Sequence, residues 1–510
     1  MTAKTGTKSL IQNSRARFLL RFNPISGRLI RMDTFIGREA QLDRLAGLWQ
    51  KKTPSLVTCR GRRRIGKSTL VEEFARRTAK RFLRFSGLPP APGQTDADQR
   101  REFAGQLAAQ TGLPRLEIPD WSDAFRLLDG AIRDGERTVV LLDEISWMGG
   151  KDPNFPGKLK NAWDLLFKRH QKLVVVLCGS VSAWIAENVL SGTGFAGRDS
   201  LDIVLRELPP SDCVRLWGRR AERLSVREKL DLLAVTGGVP KYLEEIRPEL
   251  STEENLRDLF FTPEGILFRD FRQVFHDIFG RHAETRRTIL ETLADGARGL
   301  SEISDALGKE RNGHLKEQLR DLELAGFLSR DGGLNPATGL PARAETYRLC
   351  DNYSRFFLRF VRPHADAIEK GLFRFSSLTQ LPGWEGVLGL QFENLVLNNA
   401  ARLAPLVGLD GALVLSAAPW RKTAKGDPGA GCQIDLLYQA KRSVCVVEVK
   451  RRREIGPEIV DEVARKVARL PLRPGTSVRT ALVYEGALAP SVAAEGWFDH
   501  LIPAERLFEV

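Results

Sequence analysis

The chain has 510 residues, 42% of them hydrophobic, with 78 Lys and Arg against 64 Asp and Glu for a formal net charge of +14. That length exceeds one hydrophobic core, so roughly three or four domains are expected, and the apolar share is that of a globular protein. The positive balance favours an anionic partner such as nucleic acid over a merely soluble basic protein.

Cys59, Cys178, Cys213, Cys350, Cys432 and Cys445 form no C-x-x-C pair and read as reduced core residues of a cytoplasmic protein. The six histidines do not cluster with them, which argues against zinc. No apolar run approaches the ~18 residues of a membrane span.

The first 32 residues carry Lys4, Lys8, Arg15, Arg17, Arg21, Arg28 and Arg31 and no acid. They lack an apolar signal core, so export is not expected. This basic arm could touch nucleic acid, and a disordered leader or a misplaced start codon would read the same way.

"SLVTCRGRRRIGKSTLVEEFARR" predicts a strand, a glycine loop and a helix. Gly61, Gly66, Lys67 and Ser68 match G-x-x-x-x-G-K-[ST], with Arg62, Arg63, Arg64, Ile65 and Thr69 completing the stretch around the phosphates. Backbone N–H groups wrap the phosphates, Lys67 reaches the outer ones, and the Ser68 hydroxyl can ligate Mg²⁺. "RTVVLLDEISWM" predicts a buried strand ending in Asp143 and Glu144. Asp143 would hold the Mg²⁺ shell and Glu144 would orient the attacking water. "KLVVVLCGS" predicts a third core strand ending in Ser180, either a γ-phosphate sensor or only a turn residue.

"FIGREAQL" (Phe35 to Leu42), "GRRRIGKSTL", "LLDEISWM", "VLCGS", Gly197–Arg198 and "TGGVPKYL" (Thr236 to Leu243) occur in one order. Together they resemble the archaeal-type P-loop ATPases of the AAA+/STAND group over about half the chain. The resemblance implies ATP rather than GTP, adenine bordered by Phe35–Arg38, and an arginine finger or sensor at Arg198, which could equally be a surface-loop arginine. It also implies a nucleotide-reading lid helix from Gly237–Gly238–Pro240, which could equally be a plain helix boundary.

Residues 206 to 275 read as a helical lid. From Arg286, "RRTILETLADG", "LSEISDALG" and "RNGHLKEQLRDLELAGFLSRDGG" have helical apolar spacing, with Ser301 and Asn312 as expected caps. A hairpin over "LNPATGLPARAETYRL" follows. This resembles a winged helix-turn-helix with Arg311 to Ala325 as recognition helix, where Arg311, His314, Lys316 and Arg320 could face phosphates. The alternative is a packing spacer, since Glu317, Asp321 and Glu323 dilute the basic face. "YRLCDNYSRFFLRFVRP" is expected to be a core stripe with solvated arginines rather than a base-stacking surface.

Residues 364 to 510 predict helix, strand, strand, helix, strand. Glu393 falls on the helix, Asp435 on the first strand, and Glu448 and Lys450 on one face of the second. This resembles the PD-(D/E)XK nuclease fold at Asp435, Glu448 and Lys450, with Glu393 as accessory acid. Asp435 and Glu448 could chelate Mg²⁺ or Mn²⁺ through oxygen, and Lys450 could orient water or stabilise charge. A structural Glu448–Lys450 salt bridge is the alternative, although it leaves Asp435 and Glu393 unexplained.

The expected architecture is α/β: a basic arm (1–32), a P-loop ATPase core (33–205), a helical lid (206–275), a winged helix (276–350) and a second α/β, restriction-endonuclease-like domain (351–510). The expected function is an ATP-hydrolysing AAA+ switch linked to nucleic acid, with a metal-dependent nuclease end. The rivals are a non-catalytic ATP-dependent regulator with a degenerate nuclease fold and a signalling switch that recruits a protein. Expected cofactors are ATP and Mg²⁺. Expected partners are nucleic acid, DNA before RNA, and further copies of the chain, with no membrane.

Overall fold

The computed structural model describes residues 21–22, 29–30, 35–180, 182–191, 195, 197–308, 313–342, 345–409, 414–422 and 431–509. The chain divides into two compact units, Met1–Gly37 and Arg38–Val510. In the first, Arg21–Phe22 pairs antiparallel with Leu29–Ile30. Most of the basic arm, along with Arg311 and Asn312, lies outside the described residues.

The second unit opens with five parallel strands: β1 (Ser55–Gly61), β2 (Arg81–Ser86), β3 (Thr138–Asp143), β4 (Leu173–Gly179) and β5 (Asp199–Leu205). Their order across the sheet is β2-β3-β4-β1-β5, so one strand separates the phosphate-loop strand from the strand ending in Asp143. Strands β3 and β4 are buried along their whole length, which is why they read as unbroken apolar runs. Register aligns the tips, with Ser86 beside Asp143 and Gly61 beside Leu205. A core of Phe85, Phe103, Trp121, Phe125, Phe155 and Phe167 fills one face. The chemistry-bearing residues are thereby gathered at the carboxyl edge of the sheet, where ligands enter open α/β folds. Helix α1 (Lys67–Thr78) starts there, directly after the glycine loop.

Helices follow, among them α2 (Val226–Thr236) and α3 (Ile266–Phe279), the latter running across the expected lid boundary at 275. The TGG motif marks a close crossing of two segments. Gly237 ends α2 with φ 58°, and a side chain on Gly238 would sit 2.1 Å from the Leu208 carbonyl oxygen. The Leu208 N–H donates to the Gly238 carbonyl at 2.7 Å. A short helix, Pro240–Leu243, starts immediately afterwards with proline in its first turn.

Next come α4 (Ala283–Thr292), β6 (Arg298–Gly299), α5 (Leu300–Leu307), α6 (Gly313–Leu324), β7 (Leu328–Asp331) and β8 (Thr346–Leu349). The three strands form an antiparallel sheet in the order β6-β8-β7. Gly299, not Ser301, stands at the start of α5, where its N–H donates to Glu302 at 2.7 Å. The aromatic segment is a core stripe: Tyr353, Phe356, Phe357 and Phe360 are buried around α7 (Asn352–Phe356) and the π-turn that follows. Arg355, expected to be solvated, is buried with them, and its guanidinium donates to Gln391 and to the Leu349 carbonyl. Burial pushes it down to about 10.

The last portion packs α8 (Trp384–Asn398) and α9 (Glu458–Ala468) with a five-stranded mixed sheet. Its strands, in spatial order, are β9 (Val414–Lys422), β10 (Cys432–Ala440), β11 (Ser443–Ile455), β12 (Ser477–Leu488) and β13 (His500–Pro503). Strands β9, β10 and β11 are antiparallel, and β11, β12 and β13 parallel. The two edge strands are additions to the expected set: β9 carries Pro419 and two register shifts, and β13 has four residues, so neither alternates cleanly.

Gly238→Ala should destabilise the fold by about 1–3 kcal/mol, because the added methyl meets a backbone oxygen rather than a side chain that can move. Thermal or urea unfolding of the purified variant measures this, and a wild-type melting curve would rule out the crossing as a constraint.

Candidate functional site

Two polar clusters stand out, one at each five-stranded sheet. At the first, Gly61 bends the chain with φ 141°, and a side chain there would meet the Leu205 carbonyl at 2.4 Å. Gly66 caps α1 in the left-handed region, φ 88°. Lys67 is buried, and its ammonium donates to the Gly61 and Arg62 carbonyls at 3.0 Å each. The Ser68 hydroxyl donates to Asp143 at 2.7 Å, so the two expected Mg²⁺ ligands touch. Arg84 of β2, which no motif singles out, also pairs with Asp143 at 2.9 Å. Glu144 sits in the left-handed region at φ 49°, and its carboxylate accepts from the Ser180 N–H at 3.0 Å and from the Ser180 hydroxyl. Lys67, Ser68, Asp143, Glu144 and Ser180, from three separate segments, are therefore brought together at the carboxyl edge of the sheet.

Arg198 does not join them by any described contact. It makes a two-pronged ion pair with Asp164 at 3.0 Å, and that carboxyl, ringed by Arg198, Lys168 and Lys160, is held well below the usual range. Arg62, Arg63 and Arg64 have aspartate partners outside the loop, Asp351, Asp277 and Asp270. Arg38 donates to the Ile65 carbonyl at 3.4 Å and to the Arg206 carbonyl at 2.6 Å, which steadies the loop from its far side.

At the second cluster, β10 leaves the ladder after Leu436↔Val447. Asp435 takes over where backbone pairing ends, its carboxylate accepting the Val449 N–H at 2.8 Å. Glu448 is fully buried and Asp435 nearly so. Lys450 pairs with Glu448 at 2.7 Å, so the expected salt bridge exists, but it belongs to a larger set. Lys466 of α9 donates to both Glu448 oxygens at 2.6 and 2.7 Å, and Glu462 receives Lys450 at 2.8 Å. Sequence reasoning passed over Lys466 and Glu462 because on an amphipathic helix they are indistinguishable from solvated charges. The strand continues past Lys450 to Ile455.

Electrostatics make this cluster uneven. Burial, then repulsion from Glu448 and Glu393, drives the Asp435 carboxyl well above its ordinary range. Burial also raises Glu393, against the pull of Arg348 and Arg355. Asp435 has no ion-pair partner within 4 Å among the described residues. Also among the described residues, no group of three or more His, Cys, Asp or Glu is arranged to hold a metal ion. All six cysteines are free thiols, and no described helix is long and apolar enough to cross a membrane.

No family model matches the chain. An uncharacterized protein of Methanocaldococcus jannaschii, MJECL04, is 23% identical over 365 residues, covering 70% of this chain and 75% of its own length. Among solved structures, the Walker-type ATPase PABY2304 of Pyrococcus abyssi has a TM-score of 0.48 at 18% identity, covering 64% of this chain and 97% of its own. The ORC2 protein of Aeropyrum pernix, as ADPNP–ADP complexes, has a TM-score of 0.40 at 13% identity over 67% of this chain and 97% of its own. At these scores the likenesses say nothing of what this chain binds.

One buried acid gives the site a pH signature. Glu207 lies beside Asp351 and Arg62; burial, reinforced by Asp351, pushes it up to about 7 from 4.5. A carboxyl whose folded value exceeds its unfolded one contributes stability in acid that is lost as pH rises through the folded value. Glu207→Gln should therefore melt above wild type at pH ~8 and lose that advantage by pH ~4.5. Melting curves across that range test it, and a difference independent of pH would exclude titration of Glu207.

Proposed function

We propose that the chain is an ATP-binding and ATP-hydrolysing switch of the AAA+ type, linked to nucleic acid and carrying a metal-dependent nuclease module. The observation that carries the ATPase reading is the convergence of Lys67, Ser68, Asp143, Glu144 and Ser180 at the carboxyl edge of one parallel sheet. ATP phosphates would take the loop N–H groups and draw Lys67 from its two carbonyl partners. Ser68 and Asp143 fit Mg²⁺, being oxygen donors already in contact, and the ion would supply neutralisation of phosphate charge. Glu144 would orient the attacking water, with Ser180 holding its carboxylate.

The nucleic-acid link rests on the helix–strand–helix–helix–strand–strand order of α4 to β8, which fits a winged helix, and on Lys316 and Arg320 along the exposed face of α6. A cleft of about 1640 Å³ is lined by both these cations and by Glu393 of α8, the accessory acid of the second cluster. DNA is the favoured ligand, and self-association through Arg198 is compatible with its place beside Asp164.

At the second cluster the proposed ligands, Asp435 and Glu448, are oxygen donors of the kind that a hard divalent ion, Mg²⁺ or Mn²⁺, takes. Burial and the Glu448 and Glu393 carboxylates push Asp435 up, and burial and Glu448 push Glu393 up, a repulsion that a cation relieves. Asp435 and Glu448 would hold the ion, which would supply charge neutralisation at a phosphodiester. Lys450 would hold the substrate phosphate or position water. A second reading, a nuclease-like fold retained for regulation, is favoured by one observation: Lys466 already occupies both oxygens of Glu448.

Labelled single- and double-stranded DNA and RNA, incubated with and without ATP, Mg²⁺ and Mn²⁺, separate these readings. Lys67→Ala should severely weaken ATP binding, and Glu144→Gln should bind ATP while hydrolysing it about a hundredfold more slowly. Asp435→Ala and Glu448→Ala should each abolish cleavage and spare ATP hydrolysis. Absence of cleavage under every condition by folded wild type would leave the regulatory reading, and equal hydrolysis by Glu144→Gln would remove that residue from its role.

A further inference from the structure

Three consecutive arginines of the phosphate loop are each held by an aspartate from far along the chain. Arg62 pairs with Asp351 at 2.9 Å, Arg63 with Asp277 at 2.8 Å, and Arg64 with Asp270. Asp270 and Asp277 lie seven residues apart on α3, two turns on one face of the helix. The Tyr242 hydroxyl donates to Asp270 at 3.1 Å and accepts from Arg62 at 3.4 Å, tying the first and third pairs together. Phosphate capture by a glycine loop uses backbone N–H groups, so arginine is not needed at these positions for that purpose. Their side chains have another task, and the three aspartates show what it is.

Arg64 carries the clearest sign. Its φ is 70°, a left-handed conformation unfavourable for any residue but glycine, and such a residue persists only where its surroundings fix it. The ion pair to Asp270 and the bond from Arg38 to the neighbouring Ile65 carbonyl supply that fixation. Arg63 is braced by Asp277 on one side and stacks over the Trp147 ring at 5.5 Å on the other. Trp147 follows Glu144 by one helical turn, so the brace reaches the proposed hydrolytic strand as well.

We infer that Asp270 and Asp277 are positioning residues of the nucleotide site: through Arg64 and Arg63 they hold the loop in the form that receives phosphate, so that nucleotide binding and the seating of α3 against the loop reinforce each other. Reciprocity follows from linkage: whatever α3 adds to nucleotide affinity, nucleotide adds to the seating of α3. The inference rests on the loop binding ATP, as proposed above.

Asp351 is a poor place to test it. Two nitrogens of the Arg62 guanidinium have no hydrogen-bond partner among the described residues, and removing Asp351 would leave a buried charge unpaired. Asp277 and Asp270 are the useful positions, with the exchange Arg63→Asp/Asp277→Arg as the rescue. Titration calorimetry of the full chain with ATP and Mg²⁺ should show Kd raised about fivefold or more in Asp270→Asn and in Asp277→Asn, with the Asp277 loss largely restored in the exchange. In steady state the same variants should raise KM for ATP and leave kcat near wild type. A purely structural role would lower the melting temperature without nucleotide and leave Kd unchanged. Folded variants that bind ATP as wild type does, or more tightly because the arginines are freed for phosphate, would overturn the inference alone. A wild type that binds no nucleotide would overturn the ATP reading and the inference with it.

Discussion

The buried pair Arg62–Asp351 is the contact on which the long-range organisation depends. It joins the second residue of the phosphate loop to the N-cap of α7, across nearly three hundred residues of chain. Both side chains are buried, and the guanidinium lies 5.2 Å from the Tyr242 ring centroid and 5.9 Å from that of Tyr353. A buried charge is tolerated only with its partner in place. The Arg62 charge is therefore balanced only with α7 docked, and the buried aromatics Tyr353, Phe356, Phe357 and Phe360 dock it. One ion pair thus makes the parallel sheet and the C-terminal half interdependent.

The same dependence continues to the second cluster. Arg451 follows Lys450 directly and is nearly buried between Asp231 of α2, at 2.5 Å, and Glu385 of α8, at 2.9 Å. Burial raises Asp231 to about 6 despite its arginine partner, so this contact too sits in a poorly solvated place. The helices after the first sheet therefore touch both ends of the molecule's chemistry: α3 grips the phosphate loop, and α2 grips the strand that carries Glu448. A nucleotide-dependent shift of these helices would be felt at both clusters, which is the physical basis on which an ATP-controlled switch is proposed.

At the C-terminal cluster, charge explains geometry better than hydrogen bonding does. Glu448 is fully enclosed yet flanked by two lysines, whereas Asp435 accepts a backbone N–H and is pushed up by two acidic neighbours more than Lys466 pulls it down. Ladder pairing of β10 with β11 ends at Leu436↔Val447, and the Asp435 carboxylate takes the place of a ladder bond to the Val449 N–H. The proposed divalent ion would relieve this imbalance at Asp435, while Lys450 and Lys466 balance the charge of Glu448.

The parts whose signals are local were legible in residue order alone. The glycine loop, the acidic pair ending a buried strand, and the E-x-K strand each depend on spacing along a few residues. Period-two and period-3.6 patterns then put them on the strands and helices observed. Even Lys450 could be paired with Glu448 from alternation alone. Tertiary structure decided everything that depends on distance across the chain. Lys466, Glu462 and Arg84 became members of sites only when a helix or a neighbouring strand brought them there. Three loop arginines read as phosphate contacts turned out to be held by aspartates, Arg355 went into the core, and Arg198 found Asp164. The edge strands Val414–Lys422 and His500–Pro503 were illegible because edge pairing asks little of side-chain pattern. The physical reason is general to all of these: backbone preference and patterning act over a few residues, whereas the partner of a charge is set by how the elements pack.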